Sequence, residues 1–212
     1  AANLGIKRFV QMSALGADKN AAAEYARTKA MGEEAVLAAL PSARIVRPSV
    51  VFGPEDNFFN TFAGICRISP FLPVFGAPTF PDVNAGGGKA FGINFLGGGG
   101  PKFQPVYVGD VADAIVKCLN DDSTAGKVFE LAGPTVYSFA DLMRLVLKST
   151  SRKRLLVPAP FWLLELKAFF LEKLPKPLLT RDQVKLMQTD NVLSGEKPGL
   201  ADLGIAPTPA EA

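Results

Sequence analysis

The sequence predicts an α/β fold with a doubly wound parallel sheet, followed by a smaller, mostly helical C-terminal region. Apolar, β-branched runs alternate with helical patterns from residue 6 to residue 131, and strands that alternate with helices pair in parallel. The chain has 212 residues, 48% of them apolar and 20% charged, so it can bury a core of ordinary size. The alternation starts in mid-pattern, without the Gly-rich first βαβ unit that opens such a sheet.

Turn and capping residues bound the predicted elements. Gly5 is typical of a helix end, Pro41 stops the first helix, and Asp110 and Ser138 are candidate N-caps. Residues 70–100 are rich in Gly and Pro and have no period, so they are predicted as a long loop or insertion. The predicted strands are 6–12, 44–51, 103–108 and 127–131, the predicted helices are 20–40, 58–68, 111–119, 138–150, 161–174 and 181–188, and residues 203–212 are expected to be irregular.

Composition excludes several kinds of site. Histidine is absent, which rules out Ser-His-Asp triads, Cys-His pairs and His-based metal motifs. Cys66 and Cys118 lie far apart in the sequence, so neither a disulfide framework nor a zinc site is supported, and both are expected to be buried, reduced thiols. A net charge of +3 does not argue for nucleic acid as a partner.

Charged residues also bear on membrane and surface interpretations. The first residues show no secretory leader. The most apolar stretch, 161–174, is too short and too charged to span a bilayer, so no transmembrane segment is expected. One basic cluster is interpreted as a solvated helix end, and it consists of Arg144, Lys148, Arg152, Lys153 and Arg154.

A Tyr-x3-Lys pair, Tyr25 and Lys29, is the main candidate for chemistry. Four residues are about one helical turn, so both side chains leave the same face of the predicted helix. A phenol titrates near pH 10, and a neighbouring ammonium is expected to lower that pKa, which makes an acid–base pair without histidine. Ser13 ends the preceding strand, where its hydroxyl could bind a substrate oxygen. The alternative is an exposed Tyr–Lys pair without function.

The order of these motifs resembles extended or atypical short-chain dehydrogenase/reductases, the epimerase/dehydratase-like group. The resemblance rests on Ser13, Tyr25-x3-Lys29, Arg47-Pro-Ser-Val-Val-Phe-Gly53 and Val106-Tyr-Val-Gly-Asp-Val-Ala112. It implies a Rossmann-type fold, with residues 1–135 as the C-terminal part of an NAD(P)-binding domain and residues 136–212 as a helical substrate or partner region. It also implies Ser13, Tyr25 and Lys29 as catalytic residues, and Tyr25, Lys29, Pro48 and Val51 as cofactor contacts.

Further segments are similar to the nucleotide-binding accessory subunit of respiratory complex I and its bacterial relatives. They are Tyr25 to Glu33, Phe52 to Phe58, Gln104 to Val108, Leu179 to Val184 and Gly199 to Thr208. This similarity implies a dinucleotide, NADP(H) in preference to NAD(H), held structurally. It also implies complex I subunits at the membrane arm as partners. The implied location is cytoplasmic and peripheral on the inner membrane, or on the matrix side in a mitochondrion.

The Gly-x-x-Gly-x-x-Gly turn of that family does not occur in this sequence. Gly86–Gly88 and Gly97–Gly100 do not replace it, since neither run lies between a strand and a helix that would bind a pyrophosphate. We therefore expect the chain to be a fragment of a longer gene product. Its sheet would then be unpaired on one side, which predicts poor solubility of the isolated chain.

The predicted helix 161–174 has a wide apolar surface, interrupted by a stripe with Glu165 and Glu172. Such a helix either lies in a core or docks on a partner or a lipid interface. Three functions remain open from the sequence: a complex I accessory subunit or assembly and stability factor, an active NAD(P)H-dependent reductase, dehydrogenase or epimerase, and an interaction module without nucleotide.

Overall fold

A computed structural model describes residues 5–77, 96–172 and 180–211. The chain forms two units: one comprises residues 1–56, 104–136 and 191–212, and the other comprises residues 57–103 and 137–190. The chain therefore passes between the units four times, after residues 56, 103, 136 and 190. The division into domains after residue 135 stays a prediction.

Nine strands and six α-helices lie within the described residues. The strands are β1 (Val10–Met12), β2 (Arg44–Pro48), β3 (Val51–Phe52), β4 (Phe71–Phe75), β5 (Lys102–Phe103), β6 (Val106–Tyr107), β7 (Val128–Leu131), β8 (Tyr137–Ser138) and β9 (Leu155–Ala159). The helices are α1 (Glu24–Ala39), α2 (Phe58–Ile68), α3 (Val108–Asn120), α4 (Phe139–Ser149), α5 (Phe161–Leu171) and α6 (Arg181–Leu186).

A three-stranded parallel sheet with the order β1-β2-β7 organises the first unit, as the alternating pattern predicted. Its two faces are covered differently. Val46 of β2 and Phe129 of β7 pack in the core cluster that includes Val111 and Ala114 of α3. The next residue along β2, Arg47, points to the opposite face, where it binds Glu33 of α1. Helices therefore cover both faces, which is the doubly wound arrangement.

Two predicted strands are each split in the structure. The predicted strand 44–51 divides into β2 and β3, and β3 leaves the main sheet to pair in parallel with β6. The predicted strand 103–108 divides into β5 and β6, separated by Gln104 and Pro105. Pro105 has no N–H to donate to a continuous ladder, which accounts for that break.

The second unit contains a parallel pair, β4 with β9, and an antiparallel pair, β5 with β8. Prediction of a loop throughout 70–100 is wrong for β4, and β9 was missed. Pro73 and Pro158 argued against strands, because proline has no N–H to donate to a sheet. In a two-stranded sheet each strand has an open edge, where a missing N–H costs little free energy. Residues 78–95, including Gly86–Gly88, lie outside the described residues.

The N-terminus of α4 confirms one predicted cap. Ser138 accepts a hydrogen bond from the Asp141 N–H, and the Asp141 carboxylate accepts one from the Ser138 N–H, which forms a capping box. The carbonyls of Gly99 and Pro101 bind the N–H groups of Ala140 and Phe139, each at 2.9 Å. The first two N–H groups of α4 are thus bound by backbone carbonyls of segment 99–101, so they are not free to bind a phosphate.

Asp110 is not the N-cap of α3, and that prediction is wrong. The helix begins at Val108, so Asp110 lies in its first turn, where its buried carboxylate faces the C-terminal tail. It accepts hydrogen bonds from Thr208 N (2.7 Å) and Thr208 Oγ1 (2.9 Å). The tail is irregular, as expected, but this contact and the burial of Leu203 fix it to the first unit.

Helix α5 buries only part of its apolar surface. Leu164 and Ala168 pack with Val184 of α6, whereas Trp162 and Phe170 are 58% and 61% exposed. The prediction that this helix lies in a core therefore holds only for the side of α5 that carries Leu164 and Ala168. Across the described segments, the helices are too short or too polar for a membrane span.

Candidate functional site

The carboxyl ends of β1 and β2 form the edge at which the candidate residues gather. Ser13 directly follows β1, and its N–H donates to Val46 O at 2.8 Å. Pro48 ends β2, and its carbonyl accepts from Leu15 N at 2.9 Å. Ser13 and Pro48 therefore leave adjacent parallel strands at the same edge, the place where open α/β sheets bind their ligands.

The hydroxyl of Ser13 is buried and has no hydrogen-bond partner within the described part of the chain. A buried hydroxyl without a partner loses free energy that a ligand oxygen or nitrogen would restore. This hydroxyl is therefore available for a hydrogen bond with a polar group from outside the chain.

Tyr25 and Lys29 lie in the first turns of α1, the crossover from β1 to β2. Because β1 and β2 are parallel, the crossover helix runs back along the sheet, and its N-terminal turns belong to the carboxyl edge. The Lys29 ammonium lies over the Tyr25 ring, with Nζ 5.5 Å from the ring centroid. The predicted pair is therefore brought together at one face of the helix.

The phenol of Tyr25 remains protonated at neutral pH. Partial burial raises its pKa above the ordinary value, which is opposite to the lowering expected from Lys29. The cause of the raised pKa is the desolvation of the phenol, although the Lys29 ammonium lies nearby. A protonated phenol can act as a proton donor.

The two-residue loop between β2 and β3, Ser49 and Val50, is held by a side chain that sequence reasoning missed. Oδ1 of Asn191 accepts from Ser49 Oγ at 2.5 Å and from Val50 N at 3.2 Å. Pro48 is buried and Val51 is half-buried, so both predicted cofactor contacts have fixed positions. Asn191 lies far along the chain with no local pattern around it, and no signal in the sequence could have found it.

A buried ion-pair network was also missed. Arg47 Nε and Nη2 donate to the two carboxylate oxygens of Glu33, at 2.9 and 2.6 Å, and Arg47 Nη1 lies 4.0 Å from Glu130 Oε1. The bond to Glu33 raises the pKa of Arg47. Tyr25, Lys29 and Glu33 recur every four residues, so Arg47 fixes the face of α1 that carries the candidate pair. Arginine inside an apolar strand was the available signal, because buried charges need partners.

Comparison with known families decides the assignment. Residues 2–132 match the sequence model of the NAD dependent epimerase/dehydratase family. The chain belongs to this family. Its sequence resemblance is thereby confirmed, together with the Rossmann-type α/β fold, and NAD(P) is the cofactor class of the family.

Curated relatives extend the similarity over nearly the whole chain. The mitochondrial NADH dehydrogenase [ubiquinone] 1 alpha subcomplex subunit 9 of Arabidopsis thaliana is 35% identical over 96% of this chain and 48% of its own length. The subunit of the same name from Mus musculus is 34% identical over 98% and 50%. The predicted similarity to complex I subunits is confirmed, and the chain spans about half the length of these relatives.

A solved member of the fold holds a dinucleotide. The Thermus thermophilus UDP-glucose 4-epimerase complex with NAD is 16% identical, with a TM-score of 0.53 over 88% of this chain and 64% of that chain. At this identity the likeness shows the fold alone.

Proposed function

We propose that this epimerase/dehydratase-family chain belongs to a nucleotide-binding accessory subunit, or an assembly or stability factor, of respiratory complex I. The observation that carries the proposal is the extent of similarity to subunits of that name, 96% to 98% of the chain at about one-third identity. It includes the C-terminal tail, which Asp110 and Leu203 integrate into the first unit. A tail fixed in this way belongs to the fold of the subunit.

Residues at the carboxyl edge fit a nicotinamide dinucleotide. Lys29 would bind the nicotinamide ribose, Pro48 and Val51 would lie against the nicotinamide, and the unpartnered Ser13 hydroxyl would bind a polar group beside it. The nucleotide supplies hydride transfer where turnover occurs, and otherwise it acts as a structural ligand. A preference for NADP(H) over NAD(H) rests on the resemblance to complex I accessory subunits.

Partners and location follow from the same proposal. We expect contact with complex I subunits at the membrane arm, and a peripheral position on the inner membrane, on the cytoplasmic or matrix side. Trp162 and Phe170 of α5 are exposed, which favours the docking of this helix on a partner protein or a lipid surface. Nucleic acid is not an expected partner.

The test is to purify the full-length gene product from its native membrane extract, and to identify its nucleotide and its co-purifying proteins. NADPH that is bound without turnover, together with complex I subunits, is the expected result. A free protein that exchanges NAD(P)H and oxidises it with cell extract would overturn the accessory role.

A second function, NAD(P)H-dependent reduction of a small molecule, is favoured by one observation. Tyr25 is a protonated phenol beside Lys29, and a reductase needs such a group to protonate the oxygen of a carbonyl substrate. Tyr25→Phe should then abolish turnover and leave nucleotide affinity roughly unchanged, whereas Lys29→Met should lower both turnover and nucleotide affinity. Tyr137→Phe, in β8 of the second unit, is the matched control. Unchanged turnover in Tyr25→Phe would remove the catalytic role.

A further inference from the structure

Positive charge is concentrated on part of the second unit. Segments 57–77 and 137–160 carry six Lys or Arg residues and one carboxylate, Asp141, although the net charge of the whole chain is only +3. Asp141 is already bound to Arg144, at 2.6 Å. Within the described residues, four of these cationic side chains have no ion pair or hydrogen bond; they are Arg67, Lys148, Arg152 and Lys153.

A cleft of about 420 Å³ lies between α2 and the C-terminal end of α4. The α2–α4 cleft is lined by Asn60, Ala63, Gly64, Arg67, Thr150 and Arg152. Its volume lies within the range of small-molecule sites, about 300–1,000 Å³. Arg67 and Arg152 come from different segments, yet they line the same cavity.

The helix ends do not account for both arginines. Arg67 lies in the last turn of α2, where a cation complements the helix dipole. Arg152 lies beyond Thr150, the C-cap of α4, and outside that turn. Both guanidinium groups line one cleft, and neither has a carboxylate partner within the described residues, so an anion in the cleft would be attracted by both. Ala63 and Gly64 leave room for it, since a Cβ at Gly64 would meet no atom within 4 Å.

We propose that the α2–α4 cleft binds a phosphate group, with Arg67 and Arg152 as its ligands. Guanidinium groups present paired N–H donors that match the oxygens of a phosphate. Asn60 and Thr150 add polar atoms to the lining. The same chemistry fits a soluble phosphomonoester and the headgroup of an anionic lipid. This site belongs to the second unit and does not involve the nucleotide edge of the first.

The experiment uses the full-length gene product and two probes that share one headgroup, glycerol 3-phosphate and phosphatidic acid in phosphatidylcholine vesicles. Calorimetry measures the first, and vesicle flotation measures the second against vesicles of phosphatidylcholine alone. The test variant is Arg67→Gln/Arg152→Gln. The matched control is Lys148→Gln/Lys153→Gln, which removes the same charge from cations outside the cleft lining. Thermal melting checks that the test and control variants are folded. A third variant, Arg67→Lys/Arg152→Lys, retains the positive charge but lacks the paired N–H donors of guanidinium.

Loss of two charge-assisted contacts should weaken probe binding by about tenfold or more in the test variant. The control should change it by about threefold or less, since exposed charges are screened. The lysine variant should fall between them. Binding of glycerol 3-phosphate identifies a soluble ligand, and binding of phosphatidic acid vesicles alone identifies a lipid. Equal loss in test and control variants, or no binding of either probe by the unmodified protein, would overturn the proposal.

Discussion

Replacing Arg47 by methionine would leave two buried carboxylates without their shared cation. The side chains of Glu33 and Glu130 are 7% and 6% exposed, and Arg47 is 19% exposed. Glu130 would keep the hydrogen bonds from the N–H and hydroxyl of Ser194, at 2.9 and 2.8 Å. Glu33 would lose both of its short bonds to Arg47.

The expected loss follows from that burial. Removing one partner of a buried ion pair costs about 3–5 kcal/mol, and the partial exposure of Arg47 places this case near the lower end, about 3 kcal/mol. Glu33→Gln removes the charge that Arg47 neutralises. The double variant Glu33→Gln/Arg47→Met should therefore lose less than the sum of the single losses, by about 1 kcal/mol or more.

Urea denaturation of the full chain gives the free energy of unfolding for each variant. Lys19→Met is the control. Lys19 pairs at 3.1 Å with Glu34, which follows Glu33 on α1, and these two side chains are 64% and 62% exposed. This exposed pair should contribute less than about 1 kcal/mol. A loss for Arg47→Met as small as that of Lys19→Met, or strictly additive losses in the double variant, would refute the reasoning.

Two further substitutions test the backbone conformation of Gly99 and the attachment of the C-terminal tail through Thr208. Gly99→Ala should destabilise the chain by about 2–3 kcal/mol, from the left-handed backbone and a disturbed N-cap. Gly99 has φ +82°, and its added Cβ would lie 2.5 Å from Ser138 Oγ, whereas Gly98→Ala meets no atom within 4 Å and is the control. Denaturation midpoints that match for the two variants would contradict this. Thr208→Val should cost about 1.5–3 kcal/mol by removing a hydrogen bond to the buried Asp110 carboxylate. It should also speed hydrogen exchange in the tail, and unchanged exchange would count against that role.

Local signals in the sequence were sufficient for several elements. Residues 58–68 form α2 with the bounds that the apolar pattern predicted, and Ser138 caps α4 through Asp141 as its spacing indicated. The parallel sheet followed from the alternation of strands and helices. Burial of both free cysteines was predicted from their isolation. The bounds of α2 and the cap of α4 depend on residues within a few turns of one another, whereas the alternation of elements along the chain was enough to indicate a parallel sheet.

Contacts between distant residues decided the rest. The local sequence around Asp110 is typical of an N-cap, but its carboxylate binds Thr208, far along the chain. Asn191, equally distant, binds the loop after Pro48. Arg47 and Glu33 are close in sequence, but only the crossover of α1 brings them onto one face of the sheet.

For the candidate site, the sequence by itself determined the residue types and their helical spacing, Tyr25 with Lys29 and a serine at a strand end. The tertiary structure alone decided their chemical state. It placed the ammonium over the Tyr25 ring, raised the pKa of the phenol by burial and left the Ser13 hydroxyl without a partner. Spacing along a helix is fixed by backbone geometry, whereas burial and hydrogen bonding depend on which segments pack together.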